Sequence, residues 1–371
     1  GNNIRRNDAY RNNNRGIRVE TSSANTLENN EATENGKNGI ELVSSSGNVI
    51  KWNTANENDG SPEWGAEYGI HLDSSSGNTI ENNTASGNWD GIRLQSSSNN
   101  NIVKHNTVTS NVMSGIRLEI SSDSNKIEGN DASHNGNGIY LHNGISNEIE
   151  SNNANDNKDD GISLSSSSSC IISSNIAAGN KYGILLSTSS GNNISSNDAT
   201  GNSDSDIRLD SSNSNTIYLN NFDLGWSNGA NTWNSTTKIV YGNDTTYVGN
   251  RWSGYSGKDC DSDGIGDTPY SIPGGSEHDN YPLTDSSGPR TLTVCASGCN
   301  YTTIQAAINA ACSGDSIEVY SGTYEENVDV NKKLTLRGIN NGSGLPVVDA
   351  GGSGSAITIS ADGCTVEGFE A

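Results

Sequence analysis

Asp259, Asp261, Asp263 and Asp267 stand at positions 1, 3, 5 and 9 of the segment DCDSDGIGD, with Gly264 at position 6. Oxygen ligands two residues apart curl around a hard cation, and a glycine at the sixth loop position permits the sharp turn. Counted from Asp259, Ile265 falls at the seventh position, where a backbone carbonyl is the donor. The twelfth position is Tyr270 rather than a bidentate Glu, so a further ligand would come from Asp279, Glu277 or water. The expected ion is Ca2+ in a structural role. The plain alternative is a polar Asp/Gly turn.

A second set of residues could meet a sugar chain. Gly-Ile-x-Leu strands recur along the chain, and their outward positions read Glu41, His71, Arg93, Arg117 and Tyr140. A parallel column reads Asp73, Gln95, Glu119 and His142. Mixed charges with an aromatic ring suit a polysaccharide, so His71, Asp73, Arg93, Arg117, Glu119, Tyr140 and His142 form a candidate carbohydrate face. Catalysis needs a base or nucleophile with a partner on an adjacent coil. Asp90, Asp160 and Asp206 read as one column on non-adjacent coils, so no catalytic residue is assigned. An alternating, solvated charge ladder is the simpler and preferred reading of the face.

What must hold these residues is a repeat. Gly-Ile-x-Leu/Val begins at Gly16, Gly39, Gly69, Gly91, Gly115, Gly138, Gly161 and Gly183, and DIRL at Asp206 closes the series. The period is 22–24 residues apart from one longer step, where ENDGSPEWGAEYG reads as an inserted loop. An aliphatic residue followed three places later by Asn keeps the same phase, as in Ile80/Asn83 and Ile127/Asn130. A small residue follows that Asn in most coils, and a second Asn comes five places after it. A single coil cannot bury its apolar face, so coils must stack. Stacked strands sit about 4.8 Å apart, which places equivalent asparagines within hydrogen-bonding reach along the stack. The expectation is an all-β, right-handed parallel β-helix with three strands per coil.

Composition agrees. Only 30% of the 371 residues are hydrophobic, too few for one round core but enough for a thin repeated one. The formal net charge of −23 argues against nucleic acid, whose phosphates need a basic face. No run of 18 apolar residues is present, so no membrane-spanning helix is expected.

The parts fall in order. Residues 1–220 are coil stack, and 221–285 a β-rich cap that holds the Asp-rich loop and Trp226, Trp233 and Trp252. A second aromatic group is Trp52, Trp64 and Trp89. Residues 286–290 are a linker, and 291–371 resemble the start of another β-helix. There, Thr302 and Gln305 have capping-box spacing, and Ile304, Ala307, Ile308 and Ala311 form one helical stripe. Cys295, Cys299, Cys312 and Cys364 are disulfide candidates in this part. Sequons at Asn82, Asn193, Asn234, Asn243, Asn300 and Asn341 are glycosylation candidates. Both features lean toward an extracellular, cell-envelope location.

The Asn-rich coils resemble the NosD-like, or periplasmic copper-binding-like, β-helix repeats of archaeal and bacterial surface proteins. GNRWSGYSGKDCDSDGIGDTPYSIPGGSEHDNYPL resembles the usual end of such domains, and NYTTIQAAINAACSGDSIEVYSGTYEENVDVNKKLTLRG their usual beginning. The resemblance implies the fold far better than the activity. Its name suggests copper, but one Met and five scattered His argue against it. An end followed by a beginning suggests a structural, non-enzymatic protein whose terminal unit docks on the next copy, head to tail, building a surface layer, sheath or filament. The alternatives are a carbohydrate-binding or polysaccharide-modifying β-helix of lyase or esterase type, and an adhesin-type module meeting surface glycans.

Overall fold

The computed structural model describes residues 1–58, 67–285 and 288–370. Trp64 and most of the inserted loop lie outside them, as do two residues of the expected linker. The described chain forms two compact units, residues 1–256 with 268–283, and residues 257–267 with 284–371.

The first unit is a parallel β-solenoid. One ten-stranded sheet is built from three-residue strands, from Asn3–Arg5 to Thr216–Tyr218. The other is built from strands of four to six residues, from Ile17–Glu20 to Ser205–Asp210, and closes on the shorter Gly225–Ser227. Register is set by the inward aliphatics: Ile80 pairs with Val103, and Ile92 with Ile116. Each coil contributes one residue from its short strand and two from its long strand to a continuous core, such as Ile127, Ile116 and Leu118, all fully buried.

The expected third strand is reduced to a single bridged residue per coil, from Asp8 through Thr54, Thr84 and Thr107 to Asn221. The reason is length. Only four residues separate the two corner asparagines, as between Asn83 and Asn88, and both ends are spent on turns. The small residue in that segment, Ala85 for example, still points inward and is fully buried.

The glycine of each Gly-Ile-x-Leu strand has a packing cause. A Cβ on Gly91 would meet the Gly115 carbonyl oxygen at 2.7 Å and the Asn111 Nδ2 at 2.8 Å. At the corners, left-handed backbone falls on residues such as Asn82, Ser96 and Ser174 rather than on the ladder asparagines, which are buried.

Three columns of asparagine run along the stack. Each asparagine donates its backbone N–H and, in most coils, its Nδ2–H to the Oδ1 of its counterpart in the next coil, as from Asn106 to Asn130 at 2.9 Å. One column is broken. Cys170 takes an asparagine's place, and Asn147 Nδ2 turns to the Ser122 carbonyl instead. Residues 221–256 and 268–283 end this unit around Trp252, whose ring lies 5.2 Å from that of Phe222 and 5.7 Å from that of Trp233. Of the expected aromatic group, Trp233 and Trp252 are buried there, whereas Trp226 is half-buried against Arg208.

The second unit carries a four-stranded parallel sheet, Thr291–Val294, Ser316–Tyr320, Thr335–Ile339 and Thr365–Glu367. The helix Ile304–Ala310 buries Ile304, Ala307 and Ile308 in this unit's core. Its N-cap is Thr303 rather than Thr302, and no capping box closes. Glu326 instead accepts from the Ile304 and Gln305 amides, while Gln305 accepts from the Asp329 amide.

Two further expectations need correction. The Asp-rich loop belongs with this second unit rather than with the cap, because Cys260 is disulfide-bonded to Cys312. Cys295 pairs with Cys299, and Cys364 is a free thiol facing the Lys332 and Ala361 carbonyls.

Candidate functional site

The outer face of the long-strand sheet holds a connected polar cluster. Glu41, His71, Arg93, Arg117 and Tyr140 stand in register on successive coils. One residue before each strand's glycine comes a second column, Tyr68, Asp90 and Ser114.

Arg93 is the hub. Its guanidinium lies 4.6 Å over the Tyr68 ring, donates to the Tyr68 hydroxyl, and pairs with Asp90 at 3.4 Å and with Glu119. Arg117 takes the other Glu119 oxygen and lies 4.9 Å over the Tyr140 ring. Tyr140 and His142 are stacked at 6.4 Å.

The neighbouring coils add a second centre. His71 Nδ1 faces Asn38 Nδ2 at 3.2 Å and Glu41 Oε1 at 3.5 Å, and its ring lies 4.9 Å from that of Tyr68. Glu41 is also paired with Arg15 and Arg18.

These side chains are not a solvated ladder. Side-chain exposure is 0% for Asp90, 4% for Glu41, 7% for His71 and 13% for Arg93. Electrostatics follow from that. Burial pushes the Glu41 carboxyl up, but His71 and Arg15 outweigh it and hold it at about 2. Burial dominates at Asp90 and raises it, with Arg117 and Arg93 opposing. Burial likewise raises the Tyr68 hydroxyl. Several polar atoms of the cluster, among them His71 Nε2, Arg93 Nε, Ser114 Oγ and His142 Nδ1, are buried with no hydrogen-bond partner. Unmet buried polar atoms of this kind call for an explanation.

Of the residues singled out in the sequence, the structure joins His71, Arg93, Arg117, Glu119, Tyr140 and His142. Asp73 lies in the outer column and accepts from Gln95 and Ser74. Tyr68 and Asn38 were missed, and Asp90, named only as one of an acidic column, joins the cluster. Tyr68 and Asp90 were legible at the position just before the repeat's glycine. Asp206 does not share the Asp90 column. It stands in the glycine column, opposite Gly183, because Ile184 pairs with Ile207.

In the Asp-rich loop, Asp259, Asp261 and Asp263 each bring a carboxylate oxygen within 4.8 Å of the others. Asp267 is not among them, since its Oδ2 accepts from the Cys260 amide. Ile265 is buried and donates its N–H to Asp263. Asp279 and Glu277 lie in the first unit and are engaged there by Asn250, Trp252, Asn231 and Trp233. Among the sequons, Asn82, Asn243, Asn300 and Asn341 are exposed, and Asn193 and Asn234 half-buried. A cavity of about 160 Å³ near Asn193, Thr216 and Thr237 is lined by uncharged residues and lies on the other sheet.

Solved structures with a similar course include the Azotobacter vinelandii mannuronan C-5 epimerase AlgE4 A-module, 18% identical over 58% of this chain, with a TM-score of 0.38. The chain spans 56% of that structure's length. The periplasmic alginate epimerase AlgG is 13% identical over 99% of this chain and 76% of its own, with a TM-score of 0.39. The Dettilon tailspike protein is 14% identical over 98% of this chain and 60% of its own, with a TM-score of 0.44. No curated protein matches the sequence significantly. The family described as right handed beta helix region matches residues 1–145 and 61–199, more than half of the chain, and the chain belongs to that family.

Proposed function

We propose that the outer face of the long-strand sheet, from His71 to His142, binds a polysaccharide chain. The observation that carries this reading is the largely buried cluster with unmet polar atoms, His71 Nε2 and Arg93 Nε among them, beside the rings of Tyr68 and Tyr140. Tyrosine rings offer apolar faces to sugar C–H groups and hydroxyls to sugar oxygens. Coils repeat at about 4.8 Å, on the scale of one sugar ring, so a chain lying along the stack would meet a new pair of side chains at each coil.

The same cluster supplies groups for modifying such a chain. His71 and Tyr68 are acid–base side chains in ring contact, and Arg93 beside them can neutralise an anionic substituent. Binding to a panel of neutral and uronate-containing polysaccharides, alginate among them, tests the reading by calorimetry. New unsaturated ends after incubation would identify a lyase. Binding that is unchanged in Arg117→Ala and Tyr140→Ala would refute the face as the site.

We also propose Ca2+ as a structural ion of the second unit. Asp259, Asp261 and Asp263 would hold it, since three hard oxygen donors already converge there. A fall in thermal midpoint on chelation, restored by Ca2+, is expected; a midpoint indifferent to metal would end the idea. The finer kinship with NosD-like surface repeats, the extracellular location and head-to-tail layer assembly are proposals drawn from the repeat and the order of parts. Electron microscopy of the purified protein tests the assembly.

A further inference from the structure

The three asparagine ladders have a direction, and each ends on a carboxylate. Along every ladder the donors point toward higher residue numbers, as from Asn130 to Asn152 and from Asn175 to Asn197. The last asparagine of each ladder therefore holds N–H donors with no further carboxamide to meet. In one ladder, Asn220 donates to Asn250, and Asn250 donates its amide and Nδ2 to Asp279 Oδ2 at 2.7 and 3.2 Å. In the next, Asn180 donates to Asn202, and Asn202 donates both groups to Asp206 Oδ1 at 3.1 and 2.9 Å. In the third, Asn215 donates to Asn231, and Asn231 donates both groups to Glu277 Oε1.

The remaining lone pairs of these carboxylates are also met by donors. Asp279 accepts from Trp252 Nε1 at 2.9 Å and from the Tyr281 amide at 3.1 Å. Asp206 Oδ2 accepts from the Asp223 and Leu224 amides. Glu277 Oε2 accepts from Trp233 Nε1 at 2.7 Å. Both oxygens of all three groups thus face N–H donors. An ionised carboxylate only accepts, whereas a carboxamide would turn an NH2 toward one of those donors. Aligned amide dipoles also leave partial positive charge at the donor end, where an anion is favourable, as at a helix N-terminus.

The glycine column supplies an independent sign. In earlier coils the space beside the glycine is filled by the ladder carboxamide of the following coil; a Cβ on Gly183 would meet Asn202 Nδ2 at 2.6 Å. At Asp206 the chain has a side chain instead, and its own carboxylate receives Asn202.

We infer that Asp206, Glu277 and Asp279 are the stop residues of the stack. They terminate the three ladders and tie residues 223–224, 231–233 and 250–252 to the last coils. A further coil would have to bring carboxamide oxygens to positions these carboxylates fill.

The test is a pair of reciprocal, nearly isosteric exchanges at neutral pH, read by hydrogen exchange with mass spectrometry on the full chain. Asp206→Asn and Asp279→Asn are expected to speed exchange at least tenfold in residues 220–256 and leave residues 80–150 protected. Asn130→Asp, which removes a donor in mid-ladder, is expected to do the reverse, loosening the coils around it. Glu277 is only half-buried, so Glu277→Gln carries the same test, at residues 231–235, if the aspartate variants do not fold. Wild-type protection in the amide variants, or a loss spread evenly over all coils, would overturn the assignment.

Discussion

The two sheets of the solenoid share one inward register and differ on their outer faces. Along the short-strand sheet the last outward position reads Arg5, Glu28, Lys51, Glu81, Lys104 and Glu128, alternating in sign over these six coils before Glu150 follows Glu128. Those side chains are solvated: exposure is 34% for Lys104, 22% for Glu81 and 36% for Glu128. Along the long-strand sheet, charges meet like and unlike neighbours without alternation, and Asp90, Glu41 and His71 are nearly closed off from water. The first face is what a stack needs for register and solubility, since alternation penalises a slipped pairing. The second is costly unless something is gained from it, because buried charge must be matched by close partners. The proposed carbohydrate face rests on that contrast more than on any single residue.

The sharpest way to break the contrast is to remove one cation from each face. Arg93→Ala strands the fully buried Asp90 and should cost about 3 kcal/mol in denaturant unfolding. Lys104→Ala, which breaks a solvated pair with Glu81, should cost less than about 1 kcal/mol. Equal effects would mean that the two faces do not differ in the way described.

Acid separates the faces next. The Glu41 carboxyl is held at about 2 in the folded state, below its ordinary 4.5. Its contribution is therefore complete above about pH 4.5 and is lost as pH falls toward 2, to the extent of ~3 kcal/mol. Glu41→Gln should flatten the stability profile over that window. Asp160, on the same face further along, is pushed by burial to about 6 from 3.8, so its sign is opposite. Its buried charge lowers stability as pH rises from about 4 to 6, and Asp160→Asn should be more stable than the wild type at neutral pH.

Smaller effects sharpen the picture of the scaffold common to both faces. Cys170→Asn restores the missing ladder carboxamide between Asn147 and Asn192, and should stabilise by about 1 kcal/mol, seen as a raised thermal midpoint. Glu81→Lys places three cations in a row with Lys51 and Lys104, and should destabilise by about 0.5 kcal/mol, an effect that shrinks as salt is added.

Much of the scaffold was legible because its signals are periodic. Ile80, Val103 and Ile127 hold one phase, and so do Asn83, Asn106 and Asn130, and both sets land where that phase puts them. The third strand was over-read, because a bridge of one residue and a strand of three leave the same small-residue mark. The charge ladder was assigned to the wrong sheet. The outward residues of the Gly-Ile-x-Leu strands are mixed in charge, while the flanks of the three-residue strands, such as Glu81 and Lys104, carry the alternation. The cluster itself was half visible. Arg93 and Arg117 are named by phase alone, but their partners depend on which rotamers close, so Tyr68 escaped and Asp90 stood only in an acidic column. The ladder ends were harder still: Asp279 and Glu277 lie outside the repeat and reach it only through the fold of the cap.

Calorimetric titration of a uronate-containing polysaccharide into the wild type, Arg117→Ala, Tyr140→Ala and Lys51→Ala tests the central claim most directly. The long-strand face as a carbohydrate site predicts binding by the wild type and Lys51→Ala, and at least tenfold weaker binding by the other two. Equal binding by all four proteins, or loss only in Lys51→Ala, would contradict it.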